Sequence, residues 1–233
     1  MPLLHSWVAS ANHGDSPFPL NNLPYGVFST AHSDPRCGVA IGQMILDLQA
    51  CEEAGLIELG AGPVCDVPFW NELMEQGPEA WGDLRNRLLE LLGQGSTDQS
   101  RLEGFMVAQS DACMHLPFLV SEYTEFYAGR HHATNVGTMF RGAENALPPN
   151  WLHLPNGYNG RASSVVVSGS DIRRPWGQLK GPDDTLPRFA PSARVDLELE
   201  LGAIVGTDSF GPVTFDEADQ MIFGYVLLND WSA

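Results

Sequence analysis

Alternation between apolar and polar positions is the clearest structural signal in the chain. Between Arg194 and Val205, Val195, Leu197, Leu199 and Leu201 alternate with Asp196, Glu198 and Glu200. Successive side chains of a strand point to opposite faces, so this pattern predicts a strand whose carboxylates share one side. A second, almost wholly apolar strand is predicted for Ile222–Leu228, directly before Asn229-Asp230-Trp231.

Weaker patterns predict four further segments. Leucines recurring at helical spacing, with a proline at the start and a glycine at the end, predict a helix over 78–93. Two short apolar runs, Cys37–Gly42 and Met44–Leu48, predict a hairpin. The β-branched run Ser163–Ser168 predicts a strand, and the proline-rich and asparagine-rich residues 17–30 predict irregular structure.

These elements favour a chain that is mainly β with some α. Its 233 residues are enough for one large domain or two modest ones. The composition changes to short strands and many glycines in the later part, so we predict a domain at 1–116 and a β-rich domain at 117–233.

Charge and composition exclude several classes of function. The chain has 12 Lys and Arg against 29 Asp and Glu, a formal charge of −17, and no cluster of basic residues, which argues against nucleic-acid binding. The longest apolar runs are too short to span a bilayer, and the start does not have the pattern of a signal peptide. The four cysteines, Cys37, Cys51, Cys65 and Cys113, are widely spaced, which favours reduced, buried thiols and the cytoplasm.

Two groups of side chains could carry chemistry. The carboxylates of Asp196, Glu198 and Glu200, with Asp230 at the end of the next strand, suit either a solvated face or a hard cation such as Mg²⁺ or Ca²⁺. Another group contains His132, which could take a proton from water, and Arg141, which could bind an anion. Surface or capping roles for these residues remain open on the pattern alone.

Longer motifs reduce the ambiguity because they occur in one order along the chain. They are Asn22–Thr30, Tyr123–Tyr127, His132–Gly137, Met139–Arg141, Glu144–Leu147, Asn150–Pro155, Gly160–Gly169, Ile172–Pro175, Glu198–Glu200 and Asn229–Ala233. Together these segments resemble the fumarylacetoacetase family over almost the whole chain.

The resemblance implies a fold and a reaction. The fold is a small SH3-like barrel domain followed by a β-rich catalytic domain that is incomplete here, in a homodimer when full length. The reaction is metal-dependent hydrolysis of the carbon–carbon bond of 4-fumarylacetoacetate to fumarate and acetoacetate, the last step of tyrosine and phenylalanine breakdown. A small diketo acid is therefore the expected substrate.

The resemblance also implies roles for individual residues. His132 would be the general base that activates water. The substrate would be contacted by Tyr127, Arg141 and Tyr158, and Mg²⁺ or Ca²⁺ would be held by Glu125, Glu198, Glu200 and Asp230. At position 125 the family has Asp, so a longer side chain stands at one expected ligand position.

Members of the family continue well beyond the motif that ends at Ala233. That continuation supplies further strands and an Arg, a Gln, a Lys and a Glu of the active site, so we expect the chain alone to be inactive. A shortened non-catalytic homologue that binds metal or a partner subunit is the main alternative. Acylpyruvate hydrolysis or decarboxylation is less favoured, because the N-terminal motifs are typical of fumarylacetoacetase itself.

Overall fold

The computed structural model of the protein describes residues 2–59 and 62–233. The strands are β1 (Tyr25–Thr30), β2 (Ser33–Ile41), β3 (Met44–Asp47), β4 (Met106–Ala108), β5 (Cys113–His115), β6 (Thr124–Phe126), β7 (Gly157–Asn159), β8 (Trp176–Leu179), β9 (Arg188–Pro191), β10 (Asp196–Val205) and β11 (Ile222–Ser232). The α-helices are α1 (Leu48–Glu53), α2 (Asn71–Glu75), α3 (Pro78–Leu92), α4 (Gln99–Leu102), α5 (Arg130–Arg141) and α6 (Phe215–Gln220). Strands and some helix thus make up the chain, as predicted.

Packing divides the chain into two compact units. One contains the described residues up to Phe118 together with Val167–Ala233, and the other is Leu119–Val166. The predicted domain boundary between residues 116 and 117 is a different quantity from this division into compact units, so it stays a prediction. Among the described residues, no helix has both the length and the apolar character that a membrane crossing requires.

The larger unit contains a five-stranded antiparallel sheet in the order β4-β3-β2-β1-β5. β5, the last of these strands in the sequence, returns to pair with β1. The predicted hairpin is confirmed as β2 and β3, and Gly42 turns the chain between them with φ +57°. A side chain at Gly42 would overlap with Ser10 and Ala11, so glycine is required there.

The prediction of irregular structure over residues 17–30 is wrong for its last part. β1 occupies Tyr25–Thr30 and lies between β2 and β5. Val27 and Phe28 are fully buried there, and burial against two neighbouring strands outweighs the turn-forming residues that precede them. Those prolines and asparagines lie in the segment before the strand.

Helix α3 contributes a row of leucines to the core of this unit. It begins at Pro78 and ends at Leu92, in agreement with the prediction. The leucines on its buried face, Leu84, Leu88, Leu91 and Leu92, have no exposed surface. Full burial of each stabilises the fold by about 1.5–3 kcal/mol relative to exposure.

The strand predicted at Ser163–Ser168 is not formed. A 3₁₀ turn covers Ala162–Ser164, and the residues 165–168 after it belong to no strand. Ser164 Oγ donates to the carbonyl of Arg161 at 3.0 Å and accepts from Arg161 Nε at 3.2 Å. Such local side-chain bonds compete with strand pairing, which the β-branched residues alone do not secure.

The antiparallel hairpin β10–β11 contacts the part of the larger unit that contains the five-stranded sheet and α3, called the sheet domain below, at the end where β10 leads into the loop before β11. Phe223 packs edge-on against Trp81, with ring centroids 5.1 Å apart at 85°, and lies 5.8 Å from the ring of Tyr25. A Cβ at Gly206 would lie 2.7 Å from the Trp81 ring, so the loop after β10 also approaches Trp81 closely. Since an isolated two-stranded hairpin is marginally stable in water, this contact supports the hairpin.

The smaller unit contains the β6–β7 pair and helix α5. Only Ala133 and Gly137 of α5 are buried. A Cβ at Gly137 would overlap with the carbonyl group of Ala146, so the chain after the helix folds back closely over it. Gly142 has φ +80° and ends the helix.

The burial of the cysteines makes a testable prediction. Cys37, Cys51 and Cys65 are buried, as predicted, but the prediction is wrong for Cys113, which is exposed on β5 at the edge of the sheet. Burial raises the pKa of Cys37 and of Cys51 to about 12, and it also raises the pKa of Cys65. Because the thiolate is the reactive form, only Cys113 should react rapidly with iodoacetamide near pH 8. Mass spectrometry of native protein that shows rapid labelling of a buried thiol would contradict this.

Candidate metal centre

The carboxylates predicted as ligands lie on one face of the β10–β11 hairpin. Glu198 is directly opposite Asp230 in the antiparallel register, and Glu200 follows two residues after Glu198. Opposed residues and residues two apart share a face of the sheet, so the three side chains point to the same side. Ligand oxygens of Glu200 and Asp230 lie within 4.8 Å of each other, close enough to share one ion.

The carboxylate face of the hairpin is less exposed than its leucine face, which is the reverse of what a solvated carboxylate face would show. Glu198, Glu200 and Asp230 are half-buried, whereas Leu197 and Leu199 on the other side are 59% and 74% exposed. The carboxylates are therefore not a freely solvated edge. Like charges placed opposite each other destabilise a sheet, so a cation at this face would relieve their repulsion.

Glu198 is held by two contacts with β11. Its carboxylate accepts a hydrogen bond from the hydroxyl of Ser232. Its backbone N–H donates to Oδ1 of Asn229 at 3.3 Å. Glu198 therefore has an oriented carboxylate. It does not belong, however, to the set of carboxylates with oxygens within 4.8 Å of one another that contains Glu200 and Asp230.

His132 lies in the first turn of α5, in the smaller unit, and is exposed. Its ring meets that of Tyr127 edge-on, with centroids 5.6 Å apart at 80°. Tyr127 is fixed by its own contacts: its hydroxyl donates to the carbonyl of Ala133, and its carbonyl accepts from Trp151 Nε1 at 3.0 Å. A fixed tyrosine thus supports one side of the imidazole.

Arg141 is at the last position of α5. Its Nε donates to the carbonyl of Asn145 at 3.1 Å, and its Nη2 donates to the carbonyl of Ala146 at 2.7 Å. These bonds orient the guanidinium while it stays largely exposed. An oriented, exposed guanidinium is suited to binding a carboxylate.

Glu125 and Tyr158 are brought together by the β6–β7 pair, in which they are directly opposite each other. Tyr158 is 54% exposed, and Glu125 is half-buried. The smaller unit therefore contains Glu125, Tyr127, His132, Arg141 and Tyr158, and the larger unit contains the three hairpin carboxylates.

The hairpin offers oxygen donors of the kind that hard divalent cations prefer. Carboxylate oxygens are ordinary ligands for Mg²⁺ and Ca²⁺, neither of which takes thiolate by preference. Two of the three carboxylates already have oxygens within the reach of one ion. The residues present therefore fit a hard cation.

Sequence reasoning missed Ser232 and Asn229 as partners of Glu198. The signal for Ser232 was available: it is two residues from Asp230 and so shares its face in a strand. The bond from Asn229 depends on the cross-strand register, which alternation within a single strand does not determine.

Comparisons with known proteins match both parts of the chain to one family. A family profile described as "Fumarylacetoacetase N-terminal" matches residues 21–117. A second, described as "Fumarylacetoacetate (FAA) hydrolase C-terminal", matches residues 122–233. Both profiles therefore define the class of protein as the fumarylacetoacetate hydrolases.

Individual relatives narrow this class. A fumarylacetoacetase of Bos taurus is 49% identical over 231 residues, covering 94% of this chain and 54% of the relative. Fumarylacetoacetases of Caenorhabditis elegans and Arabidopsis thaliana are 48% and 43% identical, covering 99% and 100% of this chain and 57% of each relative. The chain belongs to the fumarylacetoacetase family. It spans about half the length of the curated relatives it matches.

Proposed function

We propose that the protein supplies the metal-binding hairpin and the catalytic histidine of a fumarylacetoacetase. The reaction would be hydrolysis of 4-fumarylacetoacetate to fumarate and acetoacetate, the last step of tyrosine and phenylalanine breakdown. The observation that carries the proposal is the identity of 43–49% to proteins named fumarylacetoacetase, which extends over nearly all of this chain. The oriented carboxylates of the hairpin support it independently.

The proposed cation ligands are Glu198, Glu200 and Asp230, with Glu125 as a fourth carboxylate by family resemblance. When bound, Mg²⁺ or Ca²⁺ would supply positive charge that stabilises an anionic oxygen of the diketo acid. Glu125 extends one methylene further than the aspartate of the family. Since Ca²⁺ tolerates irregular geometry better than Mg²⁺, this change favours Ca²⁺.

The residues of the smaller unit would handle the proton and the substrate. His132 would take a proton from water, and its exposure leaves the imidazole accessible to solvent. Arg141 presents an oriented guanidinium to an anionic substrate. Tyr127 would hold the imidazole in place, and the hydroxyls of Tyr127 and Tyr158 would contact the substrate.

The family assignment also supports a homodimer in the complete protein and a cytoplasmic location. Both are part of the proposal. The high negative charge adds support for a small-molecule substrate, since it disfavours nucleic acid as a partner.

A non-catalytic homologue that binds metal or a partner subunit is the second candidate. The exposed leucines of β10 favour it, because Leu197, Leu199 and Leu201 form an apolar stripe that a partner could cover. Saturable binding of Ca²⁺ in a calorimetric titration, without turnover in the assay described next, would favour this candidate.

Replacing His132 tests the catalytic proposal. We expect His132→Ala to lower turnover by about 10²–10⁴-fold, the usual contribution of general acid–base catalysis. The assay would follow fumarate formation by a chimera of this chain with the part of the Bos taurus relative that its match does not cover. Loss in kcat with little change in KM is expected, because His132 acts on water rather than on binding.

The neighbouring His131→Ala is the matched control, since it removes the same side chain from the same exposed turn. It should retain most of the activity. Equal activity of the His132→Ala and unsubstituted chimeras would contradict the role of His132. A chimera without turnover, beside an active Bos taurus enzyme, would contradict the proposed function of the chain.

A further inference from the structure

Ser232 lies on the carboxylate face of the hairpin without being an acidic ligand. It is opposite Asp196, while Asp230 is opposite Glu198, so Ser232 and Glu198 are diagonal neighbours across the two strands. Long side chains reach diagonal neighbours in an antiparallel sheet. The Ser232 hydroxyl uses this reach and donates a hydrogen bond to Oε1 of Glu198.

A hydroxyl in this position restricts the rotation of the carboxylate. Glu198 would otherwise be repelled by Asp230 directly opposite and by Glu200 on the same face. The donated bond occupies one oxygen of Glu198 and leaves the second oxygen available. Outer-shell hydrogen bonds of this kind orient ligating carboxylates and are as much a part of a metal site as the ligands.

We propose that Ser232 is a positioning residue that orients the Glu198 carboxylate toward a divalent cation at the hairpin. This inference rests on the proposed function, because it requires that the hairpin bind a cation. Asn229 assists at the backbone of Glu198, because its Oδ1 accepts a hydrogen bond from the Glu198 N–H. This bond fixes the strand at the same residue.

Calorimetric titration of the full chain with Ca²⁺ tests the inference. Ser232→Ala is expected to weaken Ca²⁺ binding by about 10–100-fold, as loss of an outer-shell partner typically does. Ser232→Thr keeps the hydroxyl and should bind nearly as tightly as the unsubstituted chain. Ser192→Ala is the matched control, because the Ser192 hydroxyl donates to the carbonyl of Arg194 and not to a carboxylate.

A thermal unfolding series separates positioning from stability. Without Ca²⁺, the midpoints of Ser232→Ala and the unsubstituted chain should agree, whereas the rise in midpoint on adding Ca²⁺ should be smaller for the variant. Equal Ca²⁺ affinity of the two proteins, or an equal loss in Ser192→Ala, would overturn the role of Ser232 alone. Absence of saturable Ca²⁺ binding by the unsubstituted chain would contradict the proposed metal function itself.

Discussion

Asp230→Asn is expected to weaken Ca²⁺ binding by more than about 100-fold, beyond what loss of an outer-shell contact produces. The substitution keeps the shape of the side chain but removes a negative charge and an anionic oxygen donor. Asp230 is central to the site, since it is opposite Glu198 and has oxygens within 4.8 Å of those of Glu200. Calorimetric titration of the variant beside the unsubstituted chain measures the loss.

The same substitution should have the opposite effect on the protein without metal. Removing one of two opposed like charges is expected to raise the free energy of unfolding by about 0.2–1 kcal/mol. Asp208→Asn, an exposed residue of the same unit, makes an identical change in net charge and should alter neither quantity. Equal loss of Ca²⁺ binding in both variants would mean that the cation responds only to the overall charge of −17.

Phe223→Ala is expected to have the largest effect on stability among changes to the hairpin. The ring of Phe223 packs against Trp81 and Tyr25 and joins β11 to the core of the sheet domain. Removing a packed phenylalanine ring costs about 3–5 kcal/mol at fully buried sites, and Phe223 is half-buried, so about 2–3 kcal/mol is expected. Urea unfolding followed by circular dichroism measures this loss.

Amide hydrogen exchange shows which elements are destabilised in Phe223→Ala. Since a two-stranded hairpin is marginal without packing, the amides of β10 and β11 should exchange faster in Phe223→Ala, while those of α3 change less. Phe210→Ala is the matched control, because the Phe210 ring is fully exposed, and it should change stability by less than about 0.5 kcal/mol. Similar losses in the two variants would contradict the anchoring role of Phe223.

Periodicity predicted the elements in which one residue pattern dominates. The leucines of α3 recur at helical spacing, and the carboxylates of β10 alternate with leucines, so both elements follow from local rules. β11 is predicted from Ile222 but continues through Asp230 to Ser232, because its pairing with β10 extends the strand past the apolar run. Tertiary pairing also explains β1, which directly follows a segment whose prolines and asparagines favour turns.

The exposure of β10 could not be predicted from its sequence. Alternation shows that Leu197 and Leu199 share one face and Glu198 and Glu200 the other, but it does not show which face is covered. In the structure the leucine face is the more exposed one. The strand predicted at Ser163–Ser168 is absent for a related reason: a β-branched run forms a strand only where a neighbouring strand is available for pairing.

Some parts of the candidate site could be predicted from the sequence alone, and others could not. The shared face of Glu198 and Glu200 follows from strand geometry alone, and the position of Asp230 opposite Glu198 required the register. The roles assigned to His132, Tyr127, Arg141 and Tyr158 came from family resemblance, and they stay proposals. The bond from Ser232 to Glu198 needed side-chain positions and became visible only in the structure.

Titration of isotope-labelled protein with Mn²⁺, followed by nuclear magnetic resonance, tests most directly whether the hairpin binds a divalent cation. Mn²⁺ prefers oxygen ligands, as Mg²⁺ and Ca²⁺ do, and it broadens the signals of nearby amides. At low Mn²⁺ the amides of residues 196–202 and 226–232 should broaden first, and Ca²⁺ should reverse the effect. Broadening spread over the acidic surface of the sheet domain, with the hairpin no more affected than the rest, would contradict the metal centre.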